Sequence, residues 1–241
     1  MISMYHTLIY DPLYNGLIFL MDVIPWADAG VAVIIFTILV KLILFPLSYR
    51  SVKTQLEMKR IEPELNAVKQ KYTDKQEQAR AIMALYKEKG INPFSGFFLI
   101  LIQLPIIFAL YSIFYNGGLP SVHGELLYSF VAIPDFINMK FIGLVDIAKK
   151  SIILSLLAGA TQYFQIRYSM PIVPKKTENP TFKDDLARTM SLQMRYMLPV
   201  VVFFISYGIS SVIALYWTVS NLFAIGQELY IRKTLKNNKT I

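Results

Sequence analysis

The sequence contains no cysteine. That excludes a disulfide framework, thiolate metal ligands, a cysteine nucleophile and a lipoprotein anchor. Its two histidines, His6 and His123, are too few for a histidine-rich metal site. Charge is scarce as well: 17 % of the 241 residues are Asp, Glu, Lys or Arg, against about 25 % in a typical soluble domain. The apolar share, by contrast, is 55 %, and the mean hydropathy is +0.46. This balance argues against a soluble globular domain and for a membrane protein. The net charge of +8 fits either a nucleic-acid partner or the cytoplasmic loops of a membrane protein. The positions of the charges decide between them.

A helix needs about 20 largely apolar residues to cross ~30 Å of hydrocarbon. Residues 29–49 hold one charge, Lys41; residues 93–115 hold none; residues 151–169 hold Arg167. From Tyr196 to Tyr230 there are 35 residues with one charge, Glu228. One helix of that length would be ~52 Å long, too long for a single crossing. Arg195 and Arg232 flank the stretch, and if both are cytoplasmic the chain crosses an even number of times. Two short helices, 196–209 and 211–230, joined at Gly208-Ile209-Ser210-Ser211, satisfy both conditions. The expected fold is therefore an all-α membrane protein with five transmembrane helices.

Orientation follows from the basic residues. Residues 1–28 contain no Lys or Arg, residues 50–92 contain ten, residues 116–150 three, residues 167–195 six and the tail 231–241 four. Twenty of the 24 basic residues thus fall on one side. The amino terminus is placed outside and the carboxyl terminus in the cytoplasm, which accounts for the positive charge without nucleic acid. Residues 1–28 have neither the basic n-region nor the small-residue cleavage site of a signal peptide. Leu13, Leu17, Leu20 and Met21 share one helical face and Asp11, Asn15 and Asp22 the opposite one. The segment reads as an extracytoplasmic amphipathic helix at the membrane surface, or else as a frayed tail.

Residues 50–91 read as a cytoplasmic two-helix hairpin. Met58, Ile61, Leu65 and Val68 lie on one face of the first helix; Ala79, Ile82, Met83 and Tyr86 repeat at helical spacing on the second. Pro63 should kink or split the first helix. Asp74 is placed to cap the second, with Glu77 three residues on, and Gly90 with Asn92-Pro93 to end it. The run is either a solvated charged face or a docking arm.

Lys41 stands nine residues before Arg50, ~13 Å in from the cytoplasmic end, where a cation costs ~2.5–3.5 kcal/mol on insertion scales. No Asp or Glu lies at matching depth in any span, so water is the expected solvent of Lys41. Thr37 is one turn before it on the same face. Ser151, Ser155, Gln162, Gln165 and Ser169 share a face of the third span, Gln103 is the strongly polar residue of the second, and Tyr216, Ser220 and Gln227, with Asn221 alongside, mark the last. Such stripes either line a wet cavity or bond one helix to another, at ~0.6–2 kcal/mol each.

Enzyme chemistry finds no support. No pair of membrane aspartates is present for an intramembrane aspartyl protease. Both histidines fall outside the spans, and there is no phosphate-binding glycine loop. No metal or other cofactor is expected.

The stretches Val40-Lys41-Leu42-Ile43-Leu44-Phe45-Pro46-Leu47, Ile61-Glu62-Pro63-Glu64-Leu65, Met83-Ala84-Leu85-Tyr86-Lys87, Asn92-Pro93-Phe94, Gln103-Leu104-Pro105-Ile106 and Leu215-Tyr216-Trp217-Thr218-Val219-Ser220-Asn221-Leu222 occur in this order. Together they resemble the YidC/Oxa family of membrane protein insertases, in a short form without the large periplasmic domain. The resemblance implies a five-helix core enclosing a hydrophilic groove, open to the cytoplasm and to lipid but closed outside. Nascent membrane proteins enter the groove and leave into the bilayer without covalent chemistry. By matching motif, groove positions fall on Thr37, Lys41, Gln103, Tyr216 and Trp217. The family's usual groove cation is arginine; here it is Lys41, which keeps the charge but not the planar fork. The implied location is the bacterial plasma (inner) membrane, as a multi-pass protein. The implied partners are nascent chains and lipid, with the ribosome and the Sec translocon as further candidates and no sequence-specific nucleic acid. The competing reading is a structural or transport subunit whose polar residues serve only helix packing.

Overall fold

The structure is a computed structural model, and it describes residues 2–24, 26–72, 74–92, 95–115, 119–169 and 188–237. It is built of helices: α1 (Ile2–Tyr5), a π-turn (His6–Tyr10), α2 (Asp11–Val23), α3 (Ala29–Ile43), α4 (Phe45–Arg60), α5 (Glu62–Lys71), α6 (Lys75–Glu88), α7 (Ser95–Tyr115) and α8 (Ile152–Ser169). These are followed by α9 (Arg188–Ile209) and α10 (Ser211–Asn237). Between α7 and α8 lies a two-stranded antiparallel ribbon, β1 (Lys140–Phe141) and β2 (Val145–Asp146), with Lys140 opposite Asp146. The chain divides into two compact units, residues 1–43 with 104–226 and residues 44–103 with 227–241.

In the first unit, α2 packs on α3, with the Phe36 ring against Gly16; Tyr14, Leu17 and Ile18 of one helix and Ala32, Val33 and Phe36 of the other are buried. No frayed tail is seen. Asn15, expected on the polar side of the helix, is buried instead. Its amide donates to the carbonyls of Asp11 and Leu126, and its oxygen accepts from the Tyr128 N–H at 2.6 Å. A distant loop thus satisfies a side chain that the helical pattern alone assigns to solvent. Helix α8 packs on the second half of α9, and Leu154, Ala158, Val202 and Ala214 form a shared apolar cluster.

The chain starts α3 because Asp28 caps it, accepting from the Val31 N–H at 2.9 Å. The other carboxylate oxygen of Asp28 accepts from the Ile142 N–H at 2.7 Å and so fastens the ribbon to α3. Gly30 is required here, because a Cβ would overlap the Phe141 side chain. The helix ends at Ile43 rather than Tyr49. Pro46 follows in the first turn of α4, and its ring cannot donate to the preceding turn. The break between α9 and α10 falls on Ser210, whose backbone is extended (φ −166°, ψ 164°), within the Gly-Ile-Ser-Ser link.

In the second unit, Ile61, Leu65 and Ile91 form a small cluster with Met58, Ile82, Leu85 and Tyr86. The split at Pro63, the cap at Asp74 (accepting from the Glu77 N–H at 3.3 Å) and the left-handed turn at Gly90 (φ +65°) all occur where the sequence places them. At the end of α10 the buried Glu228 carboxylate accepts from Arg232 at 2.6 and 3.0 Å.

Among the described residues, one helix is long and apolar enough by itself to cross a bilayer, Arg188–Ile209. Helices α3 and α4 pass only if counted as one broken span, and Ile102–Tyr115 is a shorter apolar helix. Length and composition of the described residues therefore do not establish five spans. Pro46 divides the first apolar run, and Ser155, Thr161, Gln162 and Gln165 dilute the 18-residue α8.

Candidate functional site

Soluble helices bury apolar side chains and expose polar ones. Helix α8 does the reverse. Ile152, Ile153, Leu156, Leu157, Phe164 and Tyr168 are exposed, while Ser155, Thr161 and Gln162 are buried with Leu154, Ala158 and Ile166. Contiguous exposed apolar surface of this kind marks contact with something other than water. Helix α10 is mixed: Val212, Ile213, Ala214, Leu215 and Tyr216 are buried together with Ser211, Thr218, Ser220 and Asn221, while Leu222, Leu229 and Tyr230 are exposed.

Most of these polar groups are satisfied within their own helix. Ser155 Oγ donates to the Ser151 carbonyl at 2.8 Å, Thr161 Oγ1 to the Leu157 carbonyl at 2.8 Å, and Thr218 Oγ1 to the Ala214 carbonyl at 2.8 Å. Gln162 donates to Gln165 at 3.2 Å, and Gln165 in turn to Ser169 Oγ at 3.1 Å, forming a polar ladder up one face of α8. Between helices, Asn221 Nδ2 donates to Thr161 Oγ1 at 3.3 Å, joining α10 to α8. Ser220 Oγ is buried with no hydrogen-bond partner among the described residues.

Thr37 is fully buried on α3, and its hydroxyl donates to the Val33 carbonyl at 2.6 Å. Lys41 follows one turn later on the same face and is half-buried, while Leu39, Leu42 and Ile43 face outward. Tyr216 is buried; Trp217 is half-buried and packs against the Leu154–Ala158–Val202–Ala214 cluster. Trp217 therefore contributes to apolar packing in addition to any polar lining. Gln103, half-buried on α7, belongs to the second unit. The structure thus joins the α8 and α10 positions directly, and carries Thr37 and Lys41 on another helix of the same unit.

Thr161 was not among the residues the sequence singles out, although it is the partner of Asn221. Its signal was available, since it lies four residues before Gln165 on the same stripe. The two cavities described lie elsewhere. One, of about 330 Å³, is lined by Tyr5, His6, Tyr10, Ser112, His123, Glu125 and Leu126; the other, of about 620 Å³, by Pro120, residues 134–140 and Asp146. None of the nine expected groove residues lines either one.

The apolar outer face of α8 and the long apolar α9 mark this chain as a helical membrane protein. The family described as 60Kd inner membrane protein matches residues 19–239. The membrane protein insertase YidC of Clostridium tetani is 34 % identical over 210 residues, covering 87 % of this chain and 84 % of that protein. The protein of that name from Fusobacterium nucleatum is 33 % identical over 228 residues, 93 % of this chain and 97 % of its own length. The one from Pelobacter propionicus is 32 % identical over 210 residues, which are 86 % of this chain but 36 % of that longer protein. The chain belongs to the YidC family of membrane protein insertases, proteins of the bacterial inner membrane.

Proposed function

We propose that this chain inserts nascent membrane proteins by receiving their polar segments in a hydrophilic groove open to the cytoplasm and releasing them sideways into lipid. No covalent chemistry is involved. The groove residues are Lys41, Thr37, Gln103, Gln162, Gln165, Tyr216, Trp217, Ser220 and Asn221. They belong to a five-span core with the amino terminus outside, a cytoplasmic hairpin at 50–91 and a basic tail at 231–241. The observation that carries this reading is the inverted burial of α8, with Ser155, Thr161 and Gln162 inside and Ile152, Ile153, Leu156, Leu157 and Phe164 outside. Asn221 directs its amide at the partner helix, as a glue residue would, whereas Gln162 and Gln165 bond along their own helix, as lining residues would.

The physics of the reading is simple. A wet cation in the inner leaflet lowers the cost of bringing an acidic or polar segment partway across. Docking of the ribosome at the basic tail and contact with the Sec translocon are further parts of this proposal. Residues 238–241 of that tail lie outside the described residues.

Lys41 tests the reading. Lys41→Arg keeps charge and reach, so insertion should be preserved. Lys41→Ala should reduce insertion several-fold, most for substrates with acidic translocated segments, with thermal stability nearly unchanged. A destabilised Ala variant that loses all substrates equally would refute the groove and favour the packing role.

A further inference from the structure

The loop between α7 and α8 presents apolar side chains that the fold prevents from turning inward. Phe130 is 72 % exposed, Phe136 and Leu144 are each 80 % exposed, and Ile133 and Ile142 are also exposed. A free loop would collapse such side chains to remove them from water. This one is fastened along its length. The Ala29 N–H donates to the Asn138 carbonyl at 2.8 Å, the Ile142 N–H to Asp28 at 2.7 Å, and the Ile147 N–H to the Met139 carbonyl at 3.0 Å. The Ser211 N–H and hydroxyl both donate to the Lys149 carbonyl, at 2.7 and 2.6 Å, and the Val212 N–H to the Ile147 carbonyl at 2.9 Å. The anchors are thus the first residues of α3 and α10.

Two further observations indicate what these side chains meet. Ile142 has φ +45°, a conformation that a β-branched residue adopts only under constraint, at about 1–3 kcal/mol, and its side chain is 62 % exposed. The strain therefore serves no internal packing. Further along the chain, exposed apolar side chains recur in the first turns of α8, at Ile152, Ile153, Leu156 and Leu157, the face that lipid would solvate in the proposed function. Lys140 and Lys150 are exposed beside it, and Lys149 pairs with Asp146 at 3.2 Å.

We propose that residues 128–144 form a surface anchor that seats Phe130, Ile133, Phe136, Ile142 and Leu144 in the headgroup–acyl boundary of the outer leaflet, with Lys140 and Lys150 toward lipid phosphates. An interfacial element gains affinity from buried apolar area together with charge attraction. The loop supplies both on a backbone already fixed. The leaflet assignment rests on the amino-terminus-outside reading given above.

The absence of cysteine makes the test direct. Phe136→Cys and Leu144→Cys, each in the full-length chain, are labelled with an environment-sensitive dye. The proteins are then reconstituted in vesicles of phosphatidylethanolamine and phosphatidylglycerol. Ser121→Cys, an exposed site before the apolar stretch, is the reference. The expected result is blue-shifted emission at 136 and 144, with lipids spin-labelled near the headgroup quenching about twofold more than at Ser121→Cys, and iodide quenching less. Emission and iodide quenching equal to the reference would overturn the anchor. So would shielding from both quenchers, which would mean that protein covers the loop. Reaction of Ser121→Cys with an impermeant maleimide added outside reports sidedness separately. Protection there, with lipid quenching retained at 136 and 144, would overturn the topology and the leaflet assignment. Normal reactivity there, with water-exposed 136 and 144, would overturn the anchor alone.

Discussion

Two regions outside the apolar helices are built on opposite principles. The cap, formed by α1–α2 and the 119–150 loop, is held by buried polar pins between distant parts of the chain. Asn15 and Leu126 are 111 residues apart, Asp28 and Ile142 are 114 apart, and the Tyr14 hydroxyl accepts from the His123 N–H at 2.8 Å. The hairpin, α4–α6, is held by a small apolar cluster around Ile61, Leu65 and Ile91, and its polar contacts are short-range and largely exposed: the Asp74 cap, Gln78 donating to the Lys69 and Tyr72 carbonyls at 2.7 and 3.1 Å, and a Lys89–Glu64 ion pair at 2.7 Å. Buried pins fix a geometry, because losing one strands a partner in the dry interior. Exposed local contacts set helix ends but leave an arm able to move. On the function proposed above, a closed outer face calls for the first kind of construction and a substrate-receiving arm for the second.

The comparison breaks most sharply at Asp28. Asp28→Ala removes the acceptor of the Val31 and Ile142 N–H groups and should lower stability by about 2–4 kcal/mol, read as the thermal midpoint of the purified full-length chain. Asp28→Asn keeps one acceptor but turns an amide N–H toward the other donor, so it should restore only part of that loss. A wild-type melt for the Ala variant would mean the ribbon is not pinned. Asn15→Leu, close in volume, should cost somewhat less, about 1–3 kcal/mol, by stranding the Leu126 carbonyl and the Tyr128 N–H. Its distinguishing readout is faster proteolysis in the 119–130 segment, since the pin joins that segment to α2.

How much of the molecule could be read from sequence follows the same division. The hairpin's split, cap and end were legible because Pro63, Asp74 and Gly90 act within a turn of themselves. The Ser210 break was legible from its glycine and serines. The helical stripe holding Thr37 and Lys41 was legible because it needs only a period of 3.6. Asn15 is misplaced because its partners Leu126 and Tyr128 are over a hundred residues away, and the 140–146 ribbon is not foreseen because strands of two residues carry no alternating pattern. The end of α3 was set at Tyr49 although Pro46 stands in the way; apolar composition extends past the point where the hydrogen-bond ladder fails. In the candidate site, helical spacing located the polar stripes. It could not tell that Gln162 and Gln165 bond to each other along α8, that Trp217 leans on an apolar cluster, or that Asn221 reaches Thr161.

On the hairpin side of the comparison the effects should be small and local. Asp74→Ala removes an exposed cap worth about 0.5–1 kcal/mol. It should speed amide exchange in the first turn of α6 while leaving the global melt unchanged. A drop in the global midpoint as large as that of Asp28→Ala would show that the hairpin is structural to the core, and the contrast drawn between the two regions would fail.

The smallest effect expected is a pH dependence at Lys89. Its hydrogen bond with Glu64 raises its pKa above the ordinary 10.5, with the Glu64 and Glu88 charges adding to the rise and slight desolvation opposing it. A cation whose pKa is raised by folding stabilises the folded form fully below its unfolded value. That contribution is lost as pH climbs through the higher folded value. The pair, joining the start of α5 to the end of α6, should therefore be intact through neutral pH and weaken only above about pH 10.5. The check is amide exchange of residues 62–88 at a series of alkaline pH values, corrected for intrinsic exchange. Lys89→Gln should abolish the dependence and leave the cap's exchange untouched. If loosening begins near neutrality, or persists in Lys89→Gln, another group governs the hairpin and the ion pair is only a surface contact.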